Sequence, residues 1–192
     1  MLSNRFESLR AANRRALVCY VTAGHPDRAR SLDLLRGLEE AGTDVLEIGV
    51  PFSDPVADGP VIQSSSQQAL EQGMTLEGAL ALIAEAKLKI PVVLFSYLNP
   101  IIAAGPDVLD RAKAAGVSGV LVTDLPVGAD PEREAWFGSG PLDFVRLVAP
   151  TTPRDRMALI ARHGRGFVYL ISRLGVTGMQ SEIGRASCRE RV

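Results

Sequence analysis

The sequence predicts an α/β fold in which parallel strands alternate with helices, an incomplete (β/α)8 barrel. Six short apolar runs recur at regular intervals along the 192 residues, and segments with helical spacing separate them. Strands that are apolar on both faces are typical of a parallel sheet covered by helices. The predicted strands are residues 17–22, 44–49, 91–97, 118–123, 143–148 and 166–171.

Helices are predicted between these strands from apolar residues at helical spacing, and glycines mark several of the helix ends. Gly42, Gly116 and Gly164 each follow such a segment, and Gly73 interrupts the longest one. The short segment 131–137 has the weakest helical pattern of the predicted helices. The predicted helices are residues 27–41, 61–89, 106–115, 131–137 and 153–163.

Two architectures fit this alternation, a doubly wound open sheet and a barrel. An open sheet usually carries a glycine-rich phosphate turn after its first strand, whereas residues 22–26 read TAGHP. Polar residues instead follow the strands, at the rim where barrel enzymes gather their chemistry. The barrel is therefore favoured. These rim residues are Glu47, Asp58, Tyr97, Asn99, Asp124 and Tyr169.

Composition excludes several classes of function. The formal net charge of −1 argues against broad electrostatic capture of nucleic acid or of an anionic membrane. No run of about 18 apolar residues exists, and the N-terminus lacks an apolar signal core, so a cytoplasmic location is expected. Cys19 and Cys188 cannot form a disulfide framework.

Length suggests that the barrel is unfinished. A complete barrel has eight βα units and about 250 residues, whereas six units are visible here. Residues 182–192 (EIGRASCRERV) have no strand or helix periodicity and resemble a translated sequencing adapter. We therefore expect a partial barrel domain at 1–181 and a non-native tail at 182–192; a genuine polar tail is the alternative.

Glu47 is the first candidate for chemistry. Alternation along the second strand puts Val45, Glu47 and Gly49 on one face, and the opposite face is entirely apolar. The apolar face should contact the helices, so Glu47 should point into the barrel. Burial would raise its pKa and suit a general acid that also acts as a base. A structural carboxylate hydrogen-bonded to nearby backbone is an equally open alternative.

The loop after Glu47 supplies two further carboxylates, Asp54 and Asp58, in a segment made rigid by three prolines. A loop that folds back over the barrel mouth would place Asp58 opposite Glu47, and two such carboxylates can divide acid and base roles. Turn formation is the alternative for both aspartates, and it is the favoured one for Asp54.

The remaining candidates and absences limit the chemistry. Tyr97 and Tyr169 could line a pocket for a flat aromatic substrate, although tyrosines at strand ends are more often core residues. Residues 172–178 could form a mobile lid. His25 and His163 lie far apart, so no metal site is expected. No lysine follows a strand, which disfavours Schiff-base chemistry.

Six segments of the sequence resemble one family, the tryptophan synthase α subunit. The most specific is LEIGVPFSDPVADGPVIQ at residues 46–63. Together the six run from the first strand to Gly178. The other five are YVTAGHP at 20–26, SYLNPI at 96–101, GVLVTDLP at 119–126, RLVAPTTP at 146–153 and GFVYLISRLGVTG at 166–178.

The resemblance implies a (β/α)8 TIM barrel that cleaves indole-3-glycerol phosphate to indole and glyceraldehyde 3-phosphate. Glu47 would be the acid/base group, and Asp58 would interact with the indole N–H. The family's phosphate site is completed by loops after the seventh and eighth strands, which the visible units do not include. The residues expected to bind substrate are Tyr20, Tyr97, Asn99, Tyr169, Thr177 and Gly178.

The resemblance also implies a partner. Asp54 and Pro55 would contact a tryptophan synthase β subunit in an α2β2 complex. The pyridoxal phosphate of that complex belongs to the β subunit, so no cofactor is expected in this chain. Two alternatives remain open at the level of sequence: a stand-alone indole-releasing lyase without a β partner, and an inactive barrel fragment. For the 192 residues by themselves, the inactive fragment is the expected outcome.

Overall fold

The computed structural model of the protein describes residues 2–171. Six strands alternate with helices, as the sequence predicts. The strands are β1 (Val18–Thr22), β2 (Val45–Gly49), β3 (Val92–Ser96), β4 (Val117–Val122), β5 (Asp143–Val148) and β6 (Val168–Leu170). The helices are α1 (Leu2–Ala11), α2 (Arg28–Glu40), α3 (Pro60–Glu71), α4 (Leu76–Ala86), α5 (Leu98–Ala103), α6 (Val108–Ala114), α7 (Pro131–Ser139) and α8 (Arg154–Arg162).

The strands form one parallel sheet whose spatial order is the chain order, from β1 to β6. A doubly wound open sheet reverses direction at a switch point, whereas a barrel adds each new strand to the same side. The sheet is therefore a curled part of a barrel wall, which confirms the predicted fold class. In register, Glu47 pairs with Tyr20 on β1 and with Val93 on β3.

The two faces of the sheet are packed differently. Leu46 and Ile48 belong to the large apolar core between the sheet and the helices. Val45 instead belongs to a separate apolar cluster with inward-facing residues of β3, β4 and β5. The expected direction of Glu47, toward the barrel interior, follows from this alternation.

Helix α1 lies at the beginnings of the strands and was not predicted, because its sequence is mainly polar. Leu2 is fully buried in the interior cluster. A Cβ atom on Gly119 would approach the Leu2 Cδ1 atom to 2.6 Å, so the glycine makes room for this leucine. Arg5 Nη2 also donates to Asp44 Oδ1 at 2.6 Å. Together these contacts attach α1 across the N-terminal ends of the strands.

The predicted break near Gly73 is confirmed, whereas one further helix was not predicted. The long segment 61–89 is divided into α3 and α4 around Gly73, which has a positive φ of 81°. Helix α5 was missed because Pro100 follows the third strand so closely. Proline is tolerated there because it stands in the first turn of the helix, where backbone N–H groups have no intrahelical acceptor. Helix α5 begins immediately after Tyr97.

Candidate active site

Glu47 lies at the centre of β2 and is almost completely buried, with 3% of its surface exposed. Among residues 2–171, no hydrogen-bond partner reaches its Oε1 atom. Burial raises the pKa of Glu47 to about 7. Its protonated and ionised forms are therefore both populated near neutral pH, as a group that gives and takes protons requires.

Three aromatic rings form an inner wall near Glu47. Phe95 on β3 makes edge contacts with Tyr20 at a centroid distance of 5.4 Å and with Tyr169 at 6.2 Å. Burial raises the pKa of Tyr169, and the charge of Glu47 acts in the same direction. The structure thus brings two of the three predicted tyrosines, Tyr20 and Tyr169, to the Glu47 side of the sheet. Phe95 was not predicted, although alternation along β3 from Val93 could have found it.

Tyr20 occupies space that only a glycine on β2 leaves open. A Cβ atom on Gly49 would lie 2.0 Å from the Tyr20 hydroxyl oxygen. Burial raises the pKa of Tyr20 to about 12, and the charges of Asp58 and Glu47 contribute to the rise. Tyr20 therefore stands within electrostatic reach of both predicted catalytic carboxylates.

Asp58 is half-buried on the loop that leads from β2 into α3. Burial raises the pKa of its carboxyl group, and an interaction with the Tyr97 hydroxyl opposes that rise. Tyr97 is only 4% exposed and accepts a hydrogen bond from the backbone N–H of Ala57 at 2.9 Å. Its ring also packs against Phe52 at a centroid distance of 5.3 Å. Tyr97 therefore holds the Asp58 loop against the end of β3.

The other predicted site residues lie farther toward solvent. Asp54 is exposed and accepts a hydrogen bond from the Ser53 hydroxyl, whereas Pro55 is partly exposed. Asn99 is exposed in the first turn of α5. Thr177 and Gly178 fall outside the described residues.

Asp124, one of the polar rim residues, has a structural contact. Its Oδ1 atom accepts a hydrogen bond from the backbone N–H of Leu98 at 2.7 Å. Leu98 is the first residue of α5, so the carboxylate satisfies a helix N-terminal donor that would otherwise lack a partner. The contact links the end of β4 to the segment that follows Tyr97.

Residues 2–171 contain neither a metal-binding cluster nor a membrane-spanning helix. No group of three or more His, Cys, Asp or Glu side chains in that range is placed to hold a metal ion. Likewise, none of the helices described there is both long and apolar enough to cross a membrane.

A family model described as "Tryptophan synthase alpha chain" matches residues 6–189. The chain belongs to the tryptophan synthase alpha chain family. The match continues past residue 181, so it does not separate the segment 182–192 from the rest, and the non-native origin of that segment stays a prediction.

Individual relatives agree with the family match. The tryptophan synthase alpha chain of Desulfatibacillum aliphaticivorans is 50% identical over 182 residues, which are 93% of this chain and 69% of the relative. The corresponding protein of Synechocystis is 46% identical, with the same shares covered. The chain therefore spans about two thirds of the length of these relatives.

Solved structures give the same result. The alpha subunit of Legionella pneumophila tryptophan synthase superimposes with a TM-score of 0.83 at 34% identity, covering 88% of this chain and 66% of that one. A Mycobacterium tuberculosis tryptophan synthase structure gives 0.85 at 36% identity, covering 94% and 71%. The comparisons confirm the predicted family, its barrel fold and its role as an α-chain lyase of tryptophan biosynthesis, and they do not favour the two alternatives.

Proposed function

We propose that Glu47 and Asp58 carry out the retro-aldol cleavage of indole-3-glycerol phosphate to indole and glyceraldehyde 3-phosphate. The observation that carries this proposal is the state of Glu47. It is a buried carboxyl group with a pKa of about 7, on the inner face of the barrel wall, and its Oε1 atom has no partner among residues 2–171. Such a group can exchange a proton with a substrate at neutral pH at little cost.

Glu47 acts twice in this scheme. Its carboxyl group first donates a proton to the indole ring carbon that bears the side chain. The resulting carboxylate then accepts the proton of the adjacent side-chain hydroxyl. The carbon–carbon bond breaks, its electron pair returns to the ring, and the former hydroxyl carbon becomes the aldehyde. One residue serves as acid and then as base, which a pKa near neutrality allows.

Asp58 stabilises the ring during these steps. Protonation at carbon places positive charge on the indole nitrogen, and a carboxylate beside the N–H favours that charged form. Tyr97 keeps the Asp58 loop in place through the backbone of Ala57. Tyr20, Phe95 and Tyr169 give the flat ring an aromatic wall.

The remaining substrate contacts follow from the family resemblance. By that resemblance Thr177 and Gly178, which lie outside the described residues, would contact the substrate phosphate, and Asn99 would bind the substrate at the rim. The substrate is a phosphate ester, which does not cross a membrane unaided, so the proposal includes a cytoplasmic location.

A tryptophan synthase β chain is the proposed partner, in an α2β2 assembly that passes indole to it. The contact surface would include Asp54 and Pro55, which lie beside Val56 on an exposed part of the loop after β2. Val56 is 78% exposed, which is unusual for a valine and consistent with an interface. The reaction proposed for this chain needs no cofactor of its own, and pyridoxal phosphate would be bound by the β chain.

The test is indole release by Glu47→Gln and Asp58→Asn, in a version of the chain extended to the length of its relatives. Each substitution should lower turnover by at least about 100-fold, the low end for acid/base groups. Glu40→Gln is the matched control, because it makes the same chemical change at an exposed site on α2. Near-normal turnover in either variant would remove that residue from the mechanism.

A further inference from the structure

A cavity lies on the opposite side of the sheet from Glu47. It has a volume of about 660 Å³ and is bounded by β5, α7 and α8. Phe144 and Arg146 contribute from the helix-facing side of β5, since they alternate with the inward-facing Val145. Ligand sites commonly have volumes of about 300–1,000 Å³, so the cavity is large enough for a small organic molecule.

The lining of this cavity carries an excess of positive charge. Four arginines line it, Arg146, Arg156, Arg162 and Arg165, and Glu134 is its one acidic residue. Glu134 is already engaged, because it accepts hydrogen bonds from Arg146 and from the backbone N–H of Gly128. The other three guanidinium charges have no carboxylate within the lining to balance them.

Arg146 is the most constrained of the four. It is 4% exposed, and its Nε donor has no hydrogen-bond partner among residues 2–171. An unpaired donor on a buried charged group is costly. Burial lowers the pKa of Arg146, and the nearby positive charge of Arg156 acts in the same direction, against the attraction of Glu134. A negatively charged group in the cavity would offset the repulsion between the charges of Arg146 and Arg156.

The cavity also has an apolar part. Phe144, Val127 and Leu159 contribute to its walls. The guanidinium carbon of Arg146 lies 4.2 Å from the centre of the Phe144 ring, so the cationic and apolar surfaces are adjacent. A ligand that combines an anionic oxygen group with an apolar body would match both.

We propose that this cavity is a binding site for a small organic anion, whose carboxylate or phosphate oxygens accept hydrogen bonds from the arginine side chains. The site is distinct from the proposed catalytic centre, because the sheet separates the two. The exposed guanidinium group of Arg162 is the expected donor, whereas the enclosed Nε atom of Arg146 is not reached by the ligand and Arg146 contributes through its charge.

The test follows the arginine Nε–H signals of the chain by ¹⁵N NMR during separate titrations with benzoate and with inorganic phosphate. Arg146→Lys identifies the Arg146 signal by its loss. At least one probe should shift that signal saturably. Saturation by benzoate alone indicates that the ligand is a carboxylate, and saturation by phosphate alone indicates that it is a phosphate. Saturation by both probes indicates a site that requires only the anionic oxygens.

Arg162→Gln should weaken the binding of the saturating probe about tenfold, as the loss of one charge-assisted hydrogen bond does. Arg30→Gln is the matched control, because it removes the same charge from a side chain on α2 that is 78% exposed. This control should leave the affinity unchanged. The proposal is overturned if neither probe saturates the Arg146 signal, or if Arg162→Gln has no larger effect than Arg30→Gln.

Discussion

Glu47 links the chemistry of the site to the stability of the fold. Its pKa is about 7 in the folded chain, against an ordinary value of 4.5. Below pH 4.5 the group is protonated in both the folded and the unfolded chain. Between pH 4.5 and 7 only the unfolded chain releases the proton, so the free energy of unfolding falls as pH rises. Above pH 7 the free energy of unfolding has fallen by about 3 kcal/mol, and the titration of Glu47 lowers it no further.

Glu47→Gln removes this pH-dependent loss, because glutamine has nearly the same shape and no charge. The variant should therefore gain stability relative to the unsubstituted chain as pH rises from 5 to 8, by up to about 3 kcal/mol. Urea unfolding at a series of pH values measures the difference. Glu40→Gln, at an exposed site, should give a small and constant difference. A pH-independent effect of Glu47→Gln would mean that burial does not raise the pKa of Glu47.

At the scale of the elements, β1 packs against β2 through the Tyr20 ring, which lies against Gly49. Gly49→Ala places a methyl carbon 2.0 Å from the Tyr20 hydroxyl oxygen, so the ring must move. We expect a loss of stability of about 1–3 kcal/mol, typical of an overpacked core. Urea unfolding of both single variants and of the double variant with Tyr20→Ala gives the coupling between the two sites.

In the Tyr20→Ala background, the Gly49→Ala substitution should cost much less, because the clashing ring is gone. Equal costs in the two backgrounds would show that the close approach of Tyr20 to β2 does not determine the effect.

The elements themselves were largely predictable from the sequence. All six strands were predicted with ends within two residues of those observed, because strands buried on both faces produce continuous apolar runs. Helix α1 was missed because its stability comes from Leu2, which fills the interior cluster, and from Arg5, which pairs with Asp44. These contacts join residues that are far apart in the chain, so the local sequence pattern of α1 does not reveal them.

The candidate site was predictable only in part, because some of its contacts join residues that are far apart in the chain. The direction of Glu47 follows from simple alternation along β2. The anchoring role of Tyr97 does not, because it depends on the loop after β2 returning to the end of β3 so that Ala57 meets the tyrosine hydroxyl. Asp124 likewise gained its partner only through the position of α5.

At the scale of the whole molecule, the proposed partner surface can be separated from the catalytic residues. Asp54 is exposed, lies four residues before Asp58, and bonds only to the neighbouring Ser53 among the contacts described for it. Asp54→Asn should therefore weaken binding of a tryptophan synthase β chain by about tenfold, equivalent to about 1.4 kcal/mol. Indole release without the β chain should stay unchanged.

Isothermal titration calorimetry with a purified β chain measures this affinity in the extended chain. Asp33→Asn is the matched control, since Asp33 is also exposed but lies on α2. Equal affinities for the two variants would exclude Asp54 from the interface. A parallel loss of the rate without the β chain would instead indicate that the substitution disturbs Asp58.

The central claim is that Glu47 is a buried acid that exchanges its proton near neutral pH. The most direct measurement is a ¹³C NMR titration of the glutamate side-chain carboxyl carbons, in which the signal absent from Glu47→Gln is assigned to Glu47. The structure predicts a midpoint at about pH 7, well above that of the exposed glutamates. A midpoint near the ordinary value of 4.5 would contradict the account.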